Sequence, residues 1–244
     1  MKLLISALFV RIVWVLKVTR MMEIVSSLVP SVVRIRLMRY FRSTDLTGYE
    51  TLVDFMRSRK LMLLEGHIVD IGAFLGGGAA KLARFCRAYG KKVYAIDIFD
   101  PDSDTAMLAT GIPQSAYYKN VIASFGKSQR EIYNESIKGL DNIVTIDSDS
   151  MLVALPHGEK IVFGFVDGNH QREHVLNDFY LVWNHLVPGG AVALDDYKNP
   201  GVPHLTATID ELIRKHREEI QEIVHMWHKR VIILVKKRHD ETRE

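Results

Sequence analysis

Short apolar runs rich in β-branched residues alternate with amphipathic stretches along most of the chain. The runs predict buried strands at residues 68–71, 93–98, 143–146, 161–166 and 191–194. The stretches between them predict helices at residues 78–89, 115–140, 150–155 and 173–186. Because strands that alternate with helices pair in parallel, this order predicts an α/β fold with a doubly wound sheet.

The C-terminal part follows a different pattern. A helix is predicted at residues 206–219, and two apolar runs, 222–227 and 231–235, follow it with only three residues between them. Two strands so close in the chain form a hairpin and are therefore antiparallel. The whole pattern predicts a Rossmann-like, mostly parallel sheet of seven strands that ends in an antiparallel hairpin.

Residues 1–43 form a separate segment that is both apolar and basic. Arg11 interrupts its first apolar run, which therefore fits neither a membrane-spanning helix, with its need for about 20 apolar residues, nor a signal peptide. On a helical wheel one half carries the polar residues, Lys2, Ser6, Arg11, Lys17 and Arg20. We expect a helical extension that lies on an anionic membrane surface, or packs on the domain or a second copy of the chain. Residues 44–244 then form the α/β domain.

The charge distribution divides the chain in the same way. The 244 residues have a formal net charge of +3, but residues 1–60 hold eleven Lys and Arg against four Asp and Glu (11 − 4 = +7), which leaves −4 for the remainder. This balance argues against nucleic acid as a partner of the main domain. The single cysteine, Cys86, excludes an intramolecular disulfide, reads as a core residue and points to the cytoplasm. An extension bound to lipid would keep the protein peripheral, on the inner face of a membrane.

A glycine-rich turn follows the first predicted strand. Its candidate cofactor-binding residues are Asp70, Gly72, Ala73, Gly76 and Gly78. Glycines let the backbone approach a ligand closely, and the helix that follows presents free N–H groups. The same glycines also match the short-chain dehydrogenases, but those enzymes need a lysine four positions after a tyrosine, and no tyrosine of this sequence has one. A nicotinamide-dependent oxidoreductase is therefore the weaker alternative.

Polar residues at the ends of the next two strands extend this candidate site. Asp97 ends the second strand at the position of ribose-binding acids, with a helix-capping role as the alternative. Asp149 and Ser150 follow the third strand. They either meet the adenine of a cofactor or simply cap the next helix.

Three more acids follow the fourth and fifth strands, namely Asp167, Asp195 and Asp196. Because ligands bind at the carboxyl ends of parallel strands, and an all-oxygen set suits Mg²⁺, these acids predict a metal site. The alternative is that Asp195 or Asp196 caps a loop while Asp167 faces solvent. His170 is the candidate general base, or else a structural histidine. The remaining C-terminal histidines are expected at the surface: His204, His216, His225, His228 and His239.

Over residues 66–197 the sequence resembles class I S-adenosylmethionine-dependent methyltransferases of the macrocin O-methyltransferase-like family. The resemblance rests on Asp70-Ile71-Gly72 with Gly76, on Asp167-Gly168-Asn169-His170 with Asp178 downstream, and on Pro188-Gly189-Gly190 leading to Asp195-Asp196-Tyr197. It implies that the cofactor is S-adenosylmethionine, with its methionine end near Asp70, and that Asp167, Asp195 and Asp196 bind a divalent cation. In that family the acid before the loop is usually Glu, and residues 1–60 lie outside the match.

The resemblance implies a metal-assisted O-methyltransferase that acts on a hydroxyl of a sugar, glycan or secondary metabolite, with His170 or Asp167 as the base. Residues 101–140 are expected to form part of the acceptor wall, because so long a connection is usually functional. Two further alternatives remain at this point. One is a non-catalytic scaffold that keeps the fold, and the other is a hydroxylase, for which no two-His-one-carboxylate spacing stands out.

Overall fold

The computed structural model describes residues 43–238, except residues 105, 108, 110 and 228. The predicted helical extension, His228 and His239 lie outside the described residues. The helices are α1 (Glu50–Ser58), α2 (Gly77–Cys86), α3 (Gln114–Ala123), α4 (Gln129–Ser136), α5 (Arg172–Trp183) and α6 (Pro203–Lys215). The strands are β1 (His67–Ile71), β2 (Val93–Asp97), β3 (Ile143–Asp147), β4 (Ile161–Val166), β5 (Leu186–Leu194), β6 (Ile220–Met226) and β7 (Val231–Lys236).

The strands form one seven-stranded sheet in the order β3-β2-β1-β4-β5-β7-β6. Strands β1 to β5 pair in parallel, whereas β7 is antiparallel to both β5 and β6. This topology confirms the predicted Rossmann-like sheet with its C-terminal hairpin. The registers pair Ile71 with Val166 and Val166 with Leu194, so β1, β4 and β5 end side by side. The residues that follow these strands therefore meet at one edge, which we call the carboxyl edge.

Helices cover both faces of the sheet, as the almost continuous apolar sequence of its central strands requires. Every residue of β4 is buried. One core cluster joins the sheet to α5 and α6 and includes Phe179 and Trp183. The other joins it to α1 and α2 and includes Leu52 and Cys86, which is buried as predicted. Burial of a large apolar side chain contributes about 1.5–3 kcal/mol, so the two layers hold the carboxyl edge in a fixed geometry.

Some predicted element boundaries were wrong. The long helix at 115–140 is two helices, because Gly126 adopts a positive φ of 68° and Ser128 begins α4 with a capping box. Strand β5 begins before the Pro-Gly-Gly turn expected to precede it, at Leu186, and its pairing with β4 shifts register there. His216 is buried against Phe179, Tyr180 and Trp183 and is not a surface residue. In the described part of the chain, no helix is long and apolar enough to cross a membrane.

Candidate active site

The glycine-rich turn brings β1 and α2 close to the end of β4. Gly72 has a φ of 86°, and a Cβ atom added to it would overlap the carbonyl oxygen of Asp167. Gly76, with a φ of 79°, precedes the first residue of α2. Glycine is therefore required where the chain turns, and the first N–H groups of α2 face the carboxyl edge.

Asp70, the next-to-last residue of β1, is fully buried. Its Oδ1 accepts a hydrogen bond from the hydroxyl of Tyr49 at 2.8 Å, whereas its Oδ2 is buried with no hydrogen-bond partner in the described structure. Burial raises the pKa of Asp70 to about 7, the bond from Tyr49 opposes that rise, and the charges of Asp45 and Asp97 add to it. A cationic ligand at Oδ2 would favour the charged carboxylate. Asp70 thus has one buried carboxylate oxygen available to a ligand.

Residues 43–49 form a segment, here called the strap, that crosses the carboxyl edge. Thr47 donates to Asp167 Oδ2 at 3.1 Å, and Tyr49 donates to Asp70. Lys81 of α2 donates to Asp45 Oδ2 at 2.6 Å. The strap therefore contacts the glycine turn and the aspartate cluster together.

Sequence reasoning did not single out the strap as part of the candidate site. One signal was available in Asp45, whose carboxylate accepts from the backbone N–H groups of Thr47, Gly48 and Tyr49. An aspartate that organises three N–H groups before a helix is typical of a built turn. The long-range contacts of Thr47 and Tyr49 have no local signal.

Asp97 holds two loops together at the end of β2. Its carboxylate accepts from the backbone N–H of Phe74 and of Phe99, both at 2.7 Å, and from Gln129 Nε2 at 3.0 Å. Burial raises the pKa of Asp97, and these three hydrogen bonds oppose the rise. Asp97 therefore does not cap a helix, which was the alternative role considered for it. Asp97 instead lies beside the glycine turn, as a ribose-binding acid would.

Asp149 and Ser150 lie after β3, at the end of the same edge. Asp149 Oδ1 accepts from the backbone N–H of Met151 at 2.9 Å and so caps a single 3₁₀ turn, the alternative role considered for it. The Ser150 side chain is hydrogen-bonded to the carboxyl group of Asp178. Burial raises the pKa of Asp178 to about 6. Both predicted residues thus belong to the carboxyl edge, and Asp149 already has a structural role.

The three predicted metal-binding acids lie at the ends of β4 and β5. The carboxyl groups of Asp167 and Asp195 are close neighbours in this cluster. Burial raises the pKa of both, and the neighbouring carboxylates raise it further. Asp195 Oδ1 is buried without a hydrogen-bond partner among the described residues. Asp167 therefore does not simply face solvent.

The carboxylate of Asp196 has further neighbours. It has a φ of 54°, and its Oδ1 accepts from Asn199 Nδ2 at 2.8 Å. Its Oδ2 lies 3.5 Å from His170 Nε2. Across the described part of the chain, no three His, Cys, Asp or Glu side chains converge as metal ligands would. The donor chemistry and the unpartnered Asp195 oxygen suit a divalent cation, but the three acids do not surround one point in this arrangement.

His170 is buried beside the acids. It is only 5% exposed, and neither ring nitrogen has a hydrogen-bond partner among the described residues. The ring is thus held by packing and by the nearby carboxylate of Asp196. A histidine in this setting can accept a proton, because the resulting cation would face Asp196.

Tyr118 of α3 is a second residue that sequence reasoning did not single out. Its hydroxyl accepts from Gln114 Nε2 at 3.1 Å, and its ring lies 5.3 Å from that of Phe74 in the glycine turn. Burial, and then the negative charges of Asp167, Asp104 and Asp196, raise its pKa well above the usual range, although the bond from Gln114 opposes this. The region 101–140 therefore contributes a neutral hydroxyl near the aspartates.

Comparisons with known proteins identify the family of the chain and similar folds. A family model described as a methyltransferase domain matches residues 69–197, which are more than half of the chain. The structure is similar to that of the O-methyltransferase NovP, with a TM-score of 0.60, 16% sequence identity, and coverage of 79% of this chain and 81% of that one. It is also similar to CalS11, a calicheamicin methyltransferase, with a TM-score of 0.54, 14% identity, and coverage of 85% and 86%.

Similarity at the sequence level is more limited. An uncharacterized protein of Acanthamoeba polyphaga mimivirus is 41% identical over 49 residues. That match spans 20% of this chain and 21% of the viral protein. At 14–16% identity, the structural likenesses concern the fold alone.

Proposed function

The chain belongs to a family of methyltransferase domains and is an S-adenosylmethionine-dependent methyltransferase, and from this premise we propose that it methylates a hydroxyl oxygen with the help of a divalent cation. The observation that carries the proposal is the meeting of His170 with Asp167, Asp195 and Asp196 beside the glycine turn. Buried acids with raised pKa values next to a histidine suit the removal of a proton from an alcohol. The family membership removes the oxidoreductase alternative.

The cofactor lies along the carboxyl edge from β1 to β3 in this proposal. Asp70 Oδ2, which is buried and has no hydrogen-bond partner among the described residues, would bind the cofactor's ammonium group. The backbone of Gly72, Ala73, Gly76 and Gly78 borders the methionine part, since glycine there permits close approach. The ribose hydroxyls donate to Asp97, and the adenine lies near Asp149 and Ser150.

Methyl transfer is an in-line displacement, so positioning contributes most of the rate. A new bond forms between the acceptor oxygen and the methyl carbon as the bond from that carbon to sulfur breaks. The electron pair of the broken bond stays on sulfur and neutralises the sulfonium charge. The hydroxyl proton passes to His170 Nε2, and the carboxylate of Asp196 stabilises the imidazolium that forms.

Asp167, Asp195 and Asp196 would hold the cation in their ionised forms. Mg²⁺ suits an all-oxygen set completed by water. A bound cation would lower the pKa of the acceptor hydroxyl and fix its orientation. The unpartnered, buried Asp195 Oδ1 supports this part of the proposal.

We infer the chemical class of the methyl acceptor by analogy with structurally similar proteins. One structurally similar protein, CalS11, is described as a TDP-rhamnose 3'-O-methyltransferase, with a TM-score of 0.52 to this structure and 14% identity over 85% of this chain and 86% of that one. NovP is likewise an O-methyltransferase. We therefore propose a sugar, glycan or secondary-metabolite hydroxyl as the acceptor.

Isothermal titration with S-adenosylmethionine and a methyl-transfer assay on a panel of sugars and vicinal diols test the proposal. We expect cofactor binding, and turnover that excess EDTA abolishes and Mg²⁺ restores while cofactor binding persists. Full turnover in EDTA would remove the metal from the proposal. A protein that binds no S-adenosylmethionine would instead be a scaffold that kept the fold.

Two matched variants refine the metal assignment. Asp195→Asn and Asp196→Asn make the same chemical change beside different neighbours. Asp195 lies next to Asp167, whereas Asp196 lies next to His170. We expect Asp195→Asn to raise the Mg²⁺ concentration needed for half-maximal turnover more than Asp196→Asn does. The reverse order would make Asp196 the principal ligand.

A further inference from the structure

A group of aromatic and cationic side chains, partly buried and partly exposed, lies at the rim of the carboxyl edge. We call it the rim cluster, and it consists of Tyr197, Lys198, His225 and Trp227. The rings of His225 and Trp227 are stacked, with centroids 4.5 Å apart and planes at 5°. Lys198 Nζ lies 4.9 Å from the Trp227 ring centroid and 5.4 Å from that of Tyr197. Trp227 is nevertheless 60% exposed.

The backbone around the cluster is held in an unusual conformation. Asp196, Lys198 and Arg230 all have positive φ values, between 54° and 59°. The Tyr197 N–H donates to the Arg230 carbonyl at 2.7 Å, and the Arg230 guanidinium donates to Asn199 Oδ1 at 2.8 Å. Residues that carry a Cβ atom are strained at positive φ, and such strain concentrates at functional sites. The loop after β5 and the β6–β7 turn are thereby joined.

The rim cluster adjoins the aspartates directly. Lys198 lies two residues beyond Asp196 in the chain. From the β6–β7 turn, Lys229 donates to the carbonyl oxygen of Thr47 at 3.1 Å, and Thr47 donates to Asp167. The segments that carry the rim cluster are thereby connected to Asp196 along the chain and, through Thr47, to Asp167.

The charge of the rim is opposite to that of the floor. The floor holds Asp167 and Asp195. The rim presents two cations: Lys198 lies against aromatic rings, and Arg230 donates to the side-chain amide of Asn199. An exposed, stacked indole offers a flat face to the C–H side of a sugar ring, and a lysine beside it attracts an anion. A neutral, purely apolar ligand would gain nothing from that lysine.

We propose that the rim cluster is a subsite for an anionic sugar, with the sugar ring against Trp227 and its phosphate or carboxylate group near Lys198. This inference rests on the proposed function, because it assumes that the hydroxyl to be methylated reaches the aspartates. It narrows the acceptor class to sugars that carry a negative charge. The cofactor residues from β1 to β3 take no part in the subsite.

Binding of glucose 1-phosphate, glucuronic acid and methyl glucoside to the full chain tests the subsite without turnover. Calorimetry gives the affinities, and saturation-transfer NMR reports which sugar protons meet the protein. We expect at least one anionic sugar to bind more tightly than methyl glucoside. Trp227→Ala should weaken that binding at least fivefold, with partial rescue in Trp227→Phe, and Lys198→Gln should remove the preference for the charged sugar.

Two control variants change similar side chains elsewhere. Leu63→Ala removes another exposed apolar side chain, and Lys92→Gln removes a lysine at the opposite edge of the sheet. Both should leave sugar binding unchanged, and all variants should keep their affinity for S-adenosylmethionine within twofold. Glucose 1-phosphate and glucuronic acid separate a phosphate from a carboxylate as the group recognised.

The outcomes separate this inference from the proposed function. If the wild-type chain binds S-adenosylmethionine but none of the three sugars, or if Trp227→Ala binds them as well as the wild type, the rim cluster is not the subsite and the methyltransferase assignment stands. If the chain binds no S-adenosylmethionine, the proposed function fails regardless of the sugar results.

Discussion

Asp70 lowers the free energy of unfolding of the cofactor-free protein at neutral pH. The carboxyl group is fully buried, and a pKa of about 7 means that the folded state resists its ionisation. Between pH 3.8, the ordinary value for the group, and about pH 7, the unfolded chain ionises while the folded chain does not. Stability therefore falls as pH rises through this window, and the penalty is fully present above pH 7.

Replacement of Asp70 by the neutral, similarly shaped asparagine tests this cost. Three pKa units correspond to about 4 kcal/mol at most, so we expect Asp70→Asn to raise the free energy of unfolding at pH 8 by about 2–4 kcal/mol. The gain should vanish toward pH 4, and cofactor binding should be lost. Urea unfolding of the cofactor-free protein at several pH values measures it. Asp147→Asn, at a half-exposed position, is the control, and an Asp70→Asn protein no more stable than the wild type at pH 8 would contradict the argument.

Asp97 is the residue we expect to bind the ribose. Loss of hydrogen bonds to a charged acceptor costs about 1.5–3 kcal/mol, so Asp97→Ala should weaken S-adenosylmethionine binding by that amount in isothermal titration. Asp147→Ala changes the aspartate that ends the neighbouring strand, where Asp97 and Asp147 pair, and should bind normally. Unchanged affinity in Asp97→Ala would take Asp97 out of the site.

A single helix position links the cofactor turn to the strap. Gly78 is in the first turn of α2, and a Cβ atom added there would overlap the ring of Tyr49. Tyr49 also packs edge-on against Phe165, at 5.0 Å between ring centroids, and donates to Asp70. Movement of this ring would therefore release the strap from the glycine turn.

The sign of the effect of Gly78→Ala distinguishes this packing from ordinary helix propensity. In a free helix the change stabilises by about 0.5–1 kcal/mol, whereas overpacking against Tyr49 costs about 1–3 kcal/mol. We expect net destabilisation and weaker cofactor binding in unfolding and titration experiments. In the Tyr49→Ala background the cost should fall, as a double-mutant cycle reports. Equal costs in both backgrounds would mean that the strap does not press on α2.

At the scale of the whole chain, the positive charge is concentrated outside the described residues. Residues 1–60 carry +7 and the remainder −4. Each basic residue near an anionic lipid surface contributes about 1 kcal/mol, and apolar burial adds to it. The extension is thus suited to hold an acidic catalytic domain at a membrane surface.

Sedimentation with anionic vesicles tests the extension. We expect the full chain to co-sediment in low salt and less in high salt, whereas a chain that begins at Thr44 should stay in solution and keep cofactor binding. A full chain with Lys2, Arg11, Lys17 and Arg20 replaced by Gln keeps the length and loses the charge, and it should bind weakly. If the full chain ignores vesicles and truncation converts a dimer into a monomer, the extension is an oligomerisation helix.

The alternation of apolar runs with helical stretches determined the order of strands and helices, and therefore the fold class. Each of the seven strands was anticipated, because each is an apolar run in the sequence itself, and the run is continuous where the strand is buried on both faces, as in β4. The acids at the strand ends followed from the same pattern, since parallel strands bring their carboxyl ends to one edge. Boundaries were less accurate where single turns decided them, as at Gly126 and β5.

Only the tertiary structure decided how the site is assembled. Thr47 bonds to Asp167 across 120 residues, and Tyr49 bonds to Asp70 across 21, and neither pairing leaves a periodic trace in the sequence. The raised pKa of Asp70, the closeness of the Asp167 and Asp195 carboxyl groups, and the stack of Trp227 on His225 likewise depend on burial and proximity. Local pattern records which face of an element is apolar, whereas contacts between distant residues depend on how the elements pack together.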